Sequence, residues 1–202
     1  MKFLEGDDRI PGWPESVHQF FIQSPKPDLQ AEFEDRLVET EGKSQICFHG
    51  TPLRNLRSIL EVGFRGYSPS IGQSHHAYYA VGAYPYNGGV YSAGKPRDSH
   101  GYTMKEIDQN DHVNITLFYP GNEYPVELPY RSNEYGALLG CEHATVLAAM
   151  EELNSETKSG SLMPRYIFII HKDFDDTNYP SRRDIEVEIR TGFNLFRDDE
   201  GR

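Results

Sequence analysis

The chain has 202 residues, of which 37% are hydrophobic and 12% aromatic, so it is long enough to bury a core and too apolar for disorder throughout. It holds 31 Asp and Glu against 20 Lys and Arg, a formal net charge of −11, which argues against a nucleic-acid partner. The 2 cysteines make no disulfide framework and favour a reducing compartment, cytoplasmic or nuclear, although export by a signal-independent route stays open. No apolar stretch approaches the roughly 20 residues of a membrane helix, so we expect no membrane partner.

Residues 1–42 are interpreted as an N-terminal extension packed on a domain of residues 43–202. The first thirty residues contain four prolines and no clear hydrophobic period. They predict an irregular arm, held on the domain by Trp13, Phe20 and Phe21. The charged residues 31–42 are consistent with a short helix.

The run "SQICFHG" at residues 44–50 is short, apolar and closed by glycine, which predicts a buried strand. Residues 51–64, "TPLRNLRSILEVGF", then predict a helix with apolar residues on one face. Thr51 suits the N-cap and Pro52 the first helical position. Gly63 suits the position just past the helix end.

The rest of the chain predicts further strands with few helices between them. Residues 65–88 are rich in Gly, Tyr, Ser and Pro, which is typical of a long functional loop. Strands are predicted at residues 112–120 and 164–174, with a short strand at residues 88–94 and a weaker one at residues 124–130. Helices are predicted at residues 95–107 and in the second half of residues 134–153. Residues 185–189, "IEVEI", alternate apolar and acidic side chains as a strand does. These elements together predict an α+β domain with a mixed, largely antiparallel sheet.

The tripeptide His49-Gly50-Thr51 ends the predicted buried strand. Histidine offers two ring nitrogens for hydrogen bonding, and a glycine lets a ligand approach the backbone closely. The backbone N–H and C=O of Gly50 are therefore candidates for holding a flat amide. An ordinary strand-end histidine explains the same tripeptide if it is considered alone.

A second segment, "GGVYSAGKPRDSHGY", follows the loop, and the two segments together resemble the ADP-ribosyltransferase superfamily in its poly(ADP-ribose) polymerase-like branch. That branch has His-Gly-Ser or His-Gly-Thr on its first core strand, a helix ending in Gly-Phe or Gly-Leu, and then Gly-Ile-Tyr or Gly-Val-Tyr followed by a serine and a tyrosine. The chain has this pattern in the same order. The resemblance implies an ADP-ribosyltransferase-like split β-sheet core with flanking helices.

The resemblance also implies a role for each matching residue in binding NAD⁺. His49 would bond the nicotinamide ribose, and the backbone of Gly50 would pair with the carboxamide. Thr51 stands at the small hydroxyl position. Tyr91 and Tyr102 would be the aromatic walls beside the nicotinamide ring, and Ser99 would bond the carboxamide. In a chain with 13 tyrosines, ordinary packing is the alternative for either tyrosine alone.

The family's catalytic glutamate has no single counterpart in this sequence. If residues 164–174 are the late core strand, its position falls near Arg165, which is not an acid. If "DIEVEI" is that strand, it resembles the Glu-x-Glu segment of the arginine-directed, toxin-like branch, with Glu188 catalytic and Glu186 as second acid. A solvent-facing acidic row explains this pair equally well. Glu134, in "SNEYG", is a third candidate.

The function implied by the resemblance is NAD⁺-dependent ADP-ribosyl transfer to an acceptor, with release of nicotinamide. A mono-transferase acting on a protein acceptor is favoured, with NAD⁺ as co-substrate and no metal. One alternative is a catalytically inactive binding module on the same fold. Another is an RNA 2′-phosphotransferase, which shares the His-Gly-Thr strand but needs basic residues for its phosphates, against the acidic balance of this chain.

Overall fold

The computed structural model describes residues 1–64, 90, 92–103, 114–120, 125–144, 160–183 and 185–190. Its centre is a five-stranded antiparallel sheet with the strand order β1-β2-β7-β6-β3. The strands are β1 (Lys2–Leu4), β2 (His18–Phe21), β3 (Ser44–Pro52), β6 (Tyr135–Ala144) and β7 (Leu162–His171), while β4 (Asn114–Pro120) and β5 (Pro125–Arg131) form a separate hairpin. The predicted α+β class with a largely antiparallel sheet is confirmed.

The amino-terminal residues belong to this sheet, so the prediction of an irregular arm is wrong. β2 pairs with β7 in the middle of the sheet, and β1 pairs with β2. Trp13 does pack on the sheet, because its ring stacks on that of Phe168 at 4.5 Å. The predicted charged helix exists as α1 (Pro27–Glu39) and begins at a proline, whose fixed φ suits the first helical position.

The predicted helix after β3 begins later than expected. Thr51 is buried within β3 and is not an N-cap, and the chain passes through a 3₁₀ turn (Leu53–Asn55) before α2 (Leu56–Val62). Gly63 ends α2 with a φ of 82°, as predicted, since glycine enters this left-handed region without the steric penalty of a Cβ atom.

Successive residues of β3 point to opposite faces of the sheet. Cys47, His49 and Thr51 point to one face, here called the His49 face, where α2 and the β2 residue Phe20 complete the core. Phe48 and Gly50 point to the other, here called the Gly50 face. The core of the Gly50 face contains Trp13, Phe48, Leu138, Phe168, Ile185 and Ile189.

Residues 185–190 are helical, so the prediction of a strand over "IEVEI" is wrong. Ile185 and Ile189 are fully buried on the Gly50 face, while Val187 is 67% exposed. Burial at positions four apart is the helical period, and a strand would have buried Val187 together with them. Glu186 and Glu188 therefore do not share a face, because residues two apart on a helix point in different directions.

None of the helices within the described ranges has the length and hydropathy needed to cross a membrane. The predicted 65–88 loop and the predicted helix in the second half of residues 134–153 lie outside the described residues.

Candidate functional site

The backbone of Gly50 faces the outer edge of the sheet. β3 is the last strand on its side, and Ala93 pairs there with Phe48 through two backbone hydrogen bonds of 2.7 and 2.8 Å. Alternate residues of an antiparallel strand present their N–H and C=O to the same side, so those of Gly50 also point outward. Among the described residues, neither group of Gly50 has a backbone hydrogen bond outside the sheet ladder. The edge thus presents one donor and one acceptor side by side.

The Ser99 hydroxyl lies at this same edge. Its Oγ donates a hydrogen bond of 2.8 Å to the carbonyl oxygen of Phe48, which points outward toward Ala93. Ser99 is 3% exposed. A hydroxyl that donates one bond keeps two lone pairs as acceptors, so this side chain can still accept from a ligand bound beside it.

Glycine is required at position 50 because a helix rests directly on it. This helix, here called the 97–103 helix, is a 3₁₀ turn (Arg97–Ser99) continued by an α-helical turn (His100–Thr103). A Cβ atom on Gly50 would lie 2.0 Å from the Ser99 carbonyl oxygen, and one on Gly136 would lie 2.5 Å from that of Thr103. The predicted helix in residues 95–107 is thus confirmed over 97–103, and it is seated on two glycines of the Gly50 face.

Tyr102 belongs to the 97–103 helix and is 37% exposed. Its neighbour Thr103 packs against Gly50, with the Thr103 nitrogen 3.2 Å from the Cβ position. An exposed aromatic ring offers a flat surface for a planar ligand. The structure therefore brings Gly50, Ser99 and Tyr102 together, as the resemblance implies, whereas Tyr91 lies outside the described residues.

His49 and Thr51 lie on the opposite face of the sheet from the 97–103 helix. The His49 ring is half-buried and contacts Phe64 edge-on, with ring centroids 4.9 Å apart. The Thr51 hydroxyl accepts a hydrogen bond of 3.3 Å from the Asn55 side-chain amide. His49 therefore approaches the Gly50 edge from one side of the strand and Ser99 from the other, and the Thr51 hydroxyl holds the turn into α2.

The candidate acids Glu186 and Glu188 lie on the helical segment packed on the Gly50 face. Glu186 forms ion pairs with Arg190 at 2.9 Å and with Arg182 at 3.6 Å. Glu188 is exposed, and its charge, after burial as the larger cause, raises the pKa of Tyr166 to about 12. Glu186 thus interacts with two arginines, and Glu188 interacts electrostatically with Tyr166. The strand geometry that suggested a catalytic Glu-x-Glu pair is absent.

Arg165, at the position where the sequence offered no acid, is 1% exposed and bound to a carboxylate. Its guanidinium donates to Glu142 Oε2 at 3.1 and 3.3 Å and to the Gln30 side chain at 2.8 Å. It also lies over the Phe33 ring, 5.2 Å from the centroid. Because Glu142 accepts a further bond of 2.8 Å from Ser44, this is a satisfied buried ion pair that ties α1 to β6 and β7.

Glu134 lies in the turn that leads from β5 into β6. Its side chain is 32% exposed and is 3.5 Å from Arg131, and its carbonyl oxygen accepts from the Lys172 N–H. Gly136, two residues later, touches the 97–103 helix. Of the three candidate acids, Glu134 is the one that lies close in sequence to Gly136, on which the 97–103 helix packs.

A hydrogen bond that was not predicted from the sequence holds the 97–103 helix from outside. His100 Nδ1 and the Tyr179 hydroxyl are 2.7 Å apart although the residues are separated by 79 positions. Such a contact between distant residues has no local sequence pattern.

Within the described ranges, no three His, Cys, Asp or Glu side chains gather as metal ligands, and the expectation of a metal-free site stays a prediction. Comparison with family models, with curated proteins and with solved structures finds no match to this chain. The geometry of the Gly50 edge and the sequence pattern are therefore the basis for a functional proposal.

Proposed function

We propose that the chain is an NAD⁺-dependent ADP-ribosyltransferase that splits the nicotinamide–ribose bond and transfers a single ADP-ribose unit. The observation that carries this proposal is the outer edge of β3 at Gly50, with the Ser99 hydroxyl beside it. A primary carboxamide has one acceptor and one donor side by side. It matches the N–H and C=O of one extended residue in the way that a paired strand does.

The surroundings of this edge suit the rest of nicotinamide riboside. The helix that packs on Gly50 carries Tyr102, whose exposed ring suits a flat heteroaromatic ligand. His49, on the other side of the strand, is the partner that the resemblance implies for the ribose hydroxyl, with Tyr91 as the second wall. A leaving ring held rigidly while the ribose turns away is catalysis by positioning.

The departure of nicotinamide leaves positive charge on the ribose, which a nearby carboxylate stabilises. We assign this role to Glu134 in preference to Glu188. The Glu188 charge acts on Tyr166 of β7, whereas Glu134 lies two residues before Gly136, which contacts the 97–103 helix. Its exposed ion pair with Arg131 at 3.5 Å is weak enough for the side chain to reorient.

A binding module without transferase activity is the second candidate. It is favoured by the helical conformation of residues 185–190, which removes the Glu-x-Glu pair as a source of catalysis. Such a module would hold a nicotinamide-like or ADP-ribose-like ligand at the Gly50 edge but leave the glycosidic bond intact. Binding without turnover distinguishes it from the enzyme.

The test is incubation with NAD⁺ labelled separately in the nicotinamide and in the adenylate, with protein acceptors from a cell extract. We expect nicotinamide release and transfer of the adenylate label to protein. His49→Ala should lower both on the order of a hundredfold. His18→Ala is the matched control, because His18 is a half-buried histidine that also meets a phenylalanine edge-on, on a strand separated from β3 by β7 and β6. Benzamide binding without nicotinamide release would support the binding module instead.

A further inference from the structure

Two of the contacts that seat the 97–103 helix on the sheet are made at glycines, and a third is the hydrogen bond from the Ser99 hydroxyl to the Phe48 carbonyl oxygen. Gly50 and Gly136 have no side chains, so the helix rests on bare backbone there. Backbone contact sets how closely the helix approaches the sheet, but side chains that interdigitate are what normally fix the orientation of a helix. The Ser99 hydrogen bond is a single point of attachment, so the rotation of the helix about it, and with it the direction of Tyr102, needs a second contact from the other side.

That contact is made by Tyr179. Its hydroxyl is 2.7 Å from Nδ1 of His100, and the two rings meet edge to face with centroids 5.5 Å apart. His100 directly follows Ser99 and lies two residues before Tyr102. A second link, from Arg97 to Asp176 at 3.6 Å, is exposed on both sides and contributes little.

Tyr179 is itself held firmly by aromatic neighbours. Its ring meets Trp13 edge-on at 5.3 Å and Phe174 at 5.0 Å. Trp13 in turn stacks on Phe168 of the central strand β7. The hydroxyl of Tyr179 is therefore fixed relative to the sheet. Its bond to His100 then fixes the 97–103 helix relative to the sheet as well.

The protonation states leave both groups of this bond neutral at pH 7. Burial, with a smaller contribution from the Asp176 charge, raises the pKa of Tyr179, so the phenol stays protonated and can donate. Burial lowers the pKa of His100, against an opposing effect of Asp176, so the imidazole is neutral at pH 7. The bond forms in either tautomer of the neutral ring, because the phenol both donates to a bare Nδ1 and accepts from a protonated one.

We propose that Tyr179 is a positioning residue for the carboxamide site: its hydroxyl, through His100, fixes the rotation of the 97–103 helix and so aims Ser99 and Tyr102 at the Gly50 edge. This inference rests on the proposed function for the identity of the ligand. The hold of Tyr179 on the helix can be measured without any ligand.

The test compares two tyrosine variants in the full chain. Tyr179→Phe removes only the hydroxyl and keeps the ring. Tyr130→Phe is the matched control, because the Tyr130 hydroxyl also lies 2.7 Å from a histidine Nδ1, that of His18, away from the Gly50 edge. Calorimetry with benzamide should show affinity lowered on the order of tenfold for Tyr179→Phe, the cost of about one hydrogen bond. The affinity of Tyr130→Phe should stay within about twofold of the parent.

Substitutions at His100 separate positioning from general loosening. Asparagine carries a polar atom near the place of Nδ1, so His100→Asn should retain most of the affinity, while His100→Ala should resemble Tyr179→Phe. Adding Tyr179→Phe to His100→Ala should cost little more, since both changes break one bond. Additive losses, or parental affinity in Tyr179→Phe, would overturn the proposal.

Amide hydrogen exchange keeps the two proposals apart. Tyr179→Phe should speed exchange at the 97–103 helix several-fold, whereas Tyr130→Phe should not, because local opening is set by the contacts that hold an element. Failure of the parent to bind benzamide at millimolar concentration would refute the carboxamide site, and the exchange data would still decide whether Tyr179 holds the helix. Equal exchange in both variants would refute that hold.

Discussion

Gly50→Ala is the sharpest perturbation of the proposed site, because its effect follows from two distances. The added Cβ would lie 2.0 Å from the Ser99 carbonyl oxygen, whereas ordinary contact begins at 3.4 Å. The atom in the way belongs to a helix backbone, so relief requires the 97–103 helix to move outward by about 1.4 Å. A forced backbone shift of this kind typically costs about 1–3 kcal/mol, and we expect the upper end.

Gly101→Ala is the control for this change. Gly101 belongs to the same helix, and a Cβ there meets nothing within 4 Å. Alanine is the better helix former, so this variant should be as stable as the parent or more stable by up to about 1 kcal/mol. Gly136→Ala, whose Cβ would lie 2.5 Å from the Thr103 oxygen, should resemble Gly50→Ala.

Thermal unfolding and benzamide calorimetry measure the two consequences separately. For a chain of this length, about 3 kcal/mol corresponds to a fall in Tm of roughly 6–12 °C. Benzamide affinity should fall as well, because the helix that carries Ser99 and Tyr102 has moved. The reasoning is refuted if Gly50→Ala and Gly101→Ala have the same Tm, since the close seating of the helix on Gly50 would then be wrong.

Three further predictions follow from the described contacts. Glu134→Gln should lower nicotinamide release on the order of a hundredfold with little change in NAD⁺ affinity. Glu188→Gln should leave both quantities unchanged. The reverse outcome in a turnover assay would assign the catalytic role to Glu188. Arg165→Leu should cost about 3–5 kcal/mol in denaturant unfolding because it leaves Glu142 charged and buried, and a loss below about 1 kcal/mol would contradict the ion pair. Burial lowers the pKa of His143, whose Nδ1 has no hydrogen-bond partner among the described residues. The unfolded chain therefore takes up a proton that the folded chain does not bind as the pH falls below about 6.5. Stability should decline from pH 7 toward pH 5, and His143→Gln should show a shallower decline.

The strands with strong local patterns could be predicted from the sequence, and the ones that depend on partners could not. β3 and β7 are long, mostly apolar runs, and the sequence predicts a strand at both places. β1 has three residues and β2 has four, too few to establish a period. β2 takes its strand conformation by pairing with β7, which is more than a hundred residues away, and β1 then pairs with β2.

The segment "IEVEI" shows why a short pattern can mislead. Isoleucines at positions 185 and 189 fit both a strand and a helix, and Val187 is the residue that distinguishes them. Its side chain is 67% exposed, which is compatible with a helix only. The helix is stabilised because the two isoleucines pack on the Gly50 face. An apolar residue at the exposed position concealed the helical period.

The site was predictable in part for the same reason. Gly50, Ser99 and Tyr102 follow one another in a pattern that the sequence displays, and the structure brings them to one edge. The ion pair of Arg165 with Glu142 and the bond of Tyr179 to His100 join positions 23 and 79 residues apart. Such contacts arise from the folded sheet and have no signature in the sequence.

The most direct measurement of the central claim is the amide resonance of Gly50 in a ¹⁵N-labelled sample titrated with benzamide. A carboxamide oxygen bound to the Gly50 N–H should move its proton downfield in a saturable way, while the amide of Leu138, opposite it in β6, should shift little. Benzoate has the same ring but no N–H to pair with the Gly50 carbonyl, so it should bind at least about tenfold more weakly. A Gly50 resonance that does not respond to benzamide at millimolar concentration would contradict the assignment of this edge as a nicotinamide site.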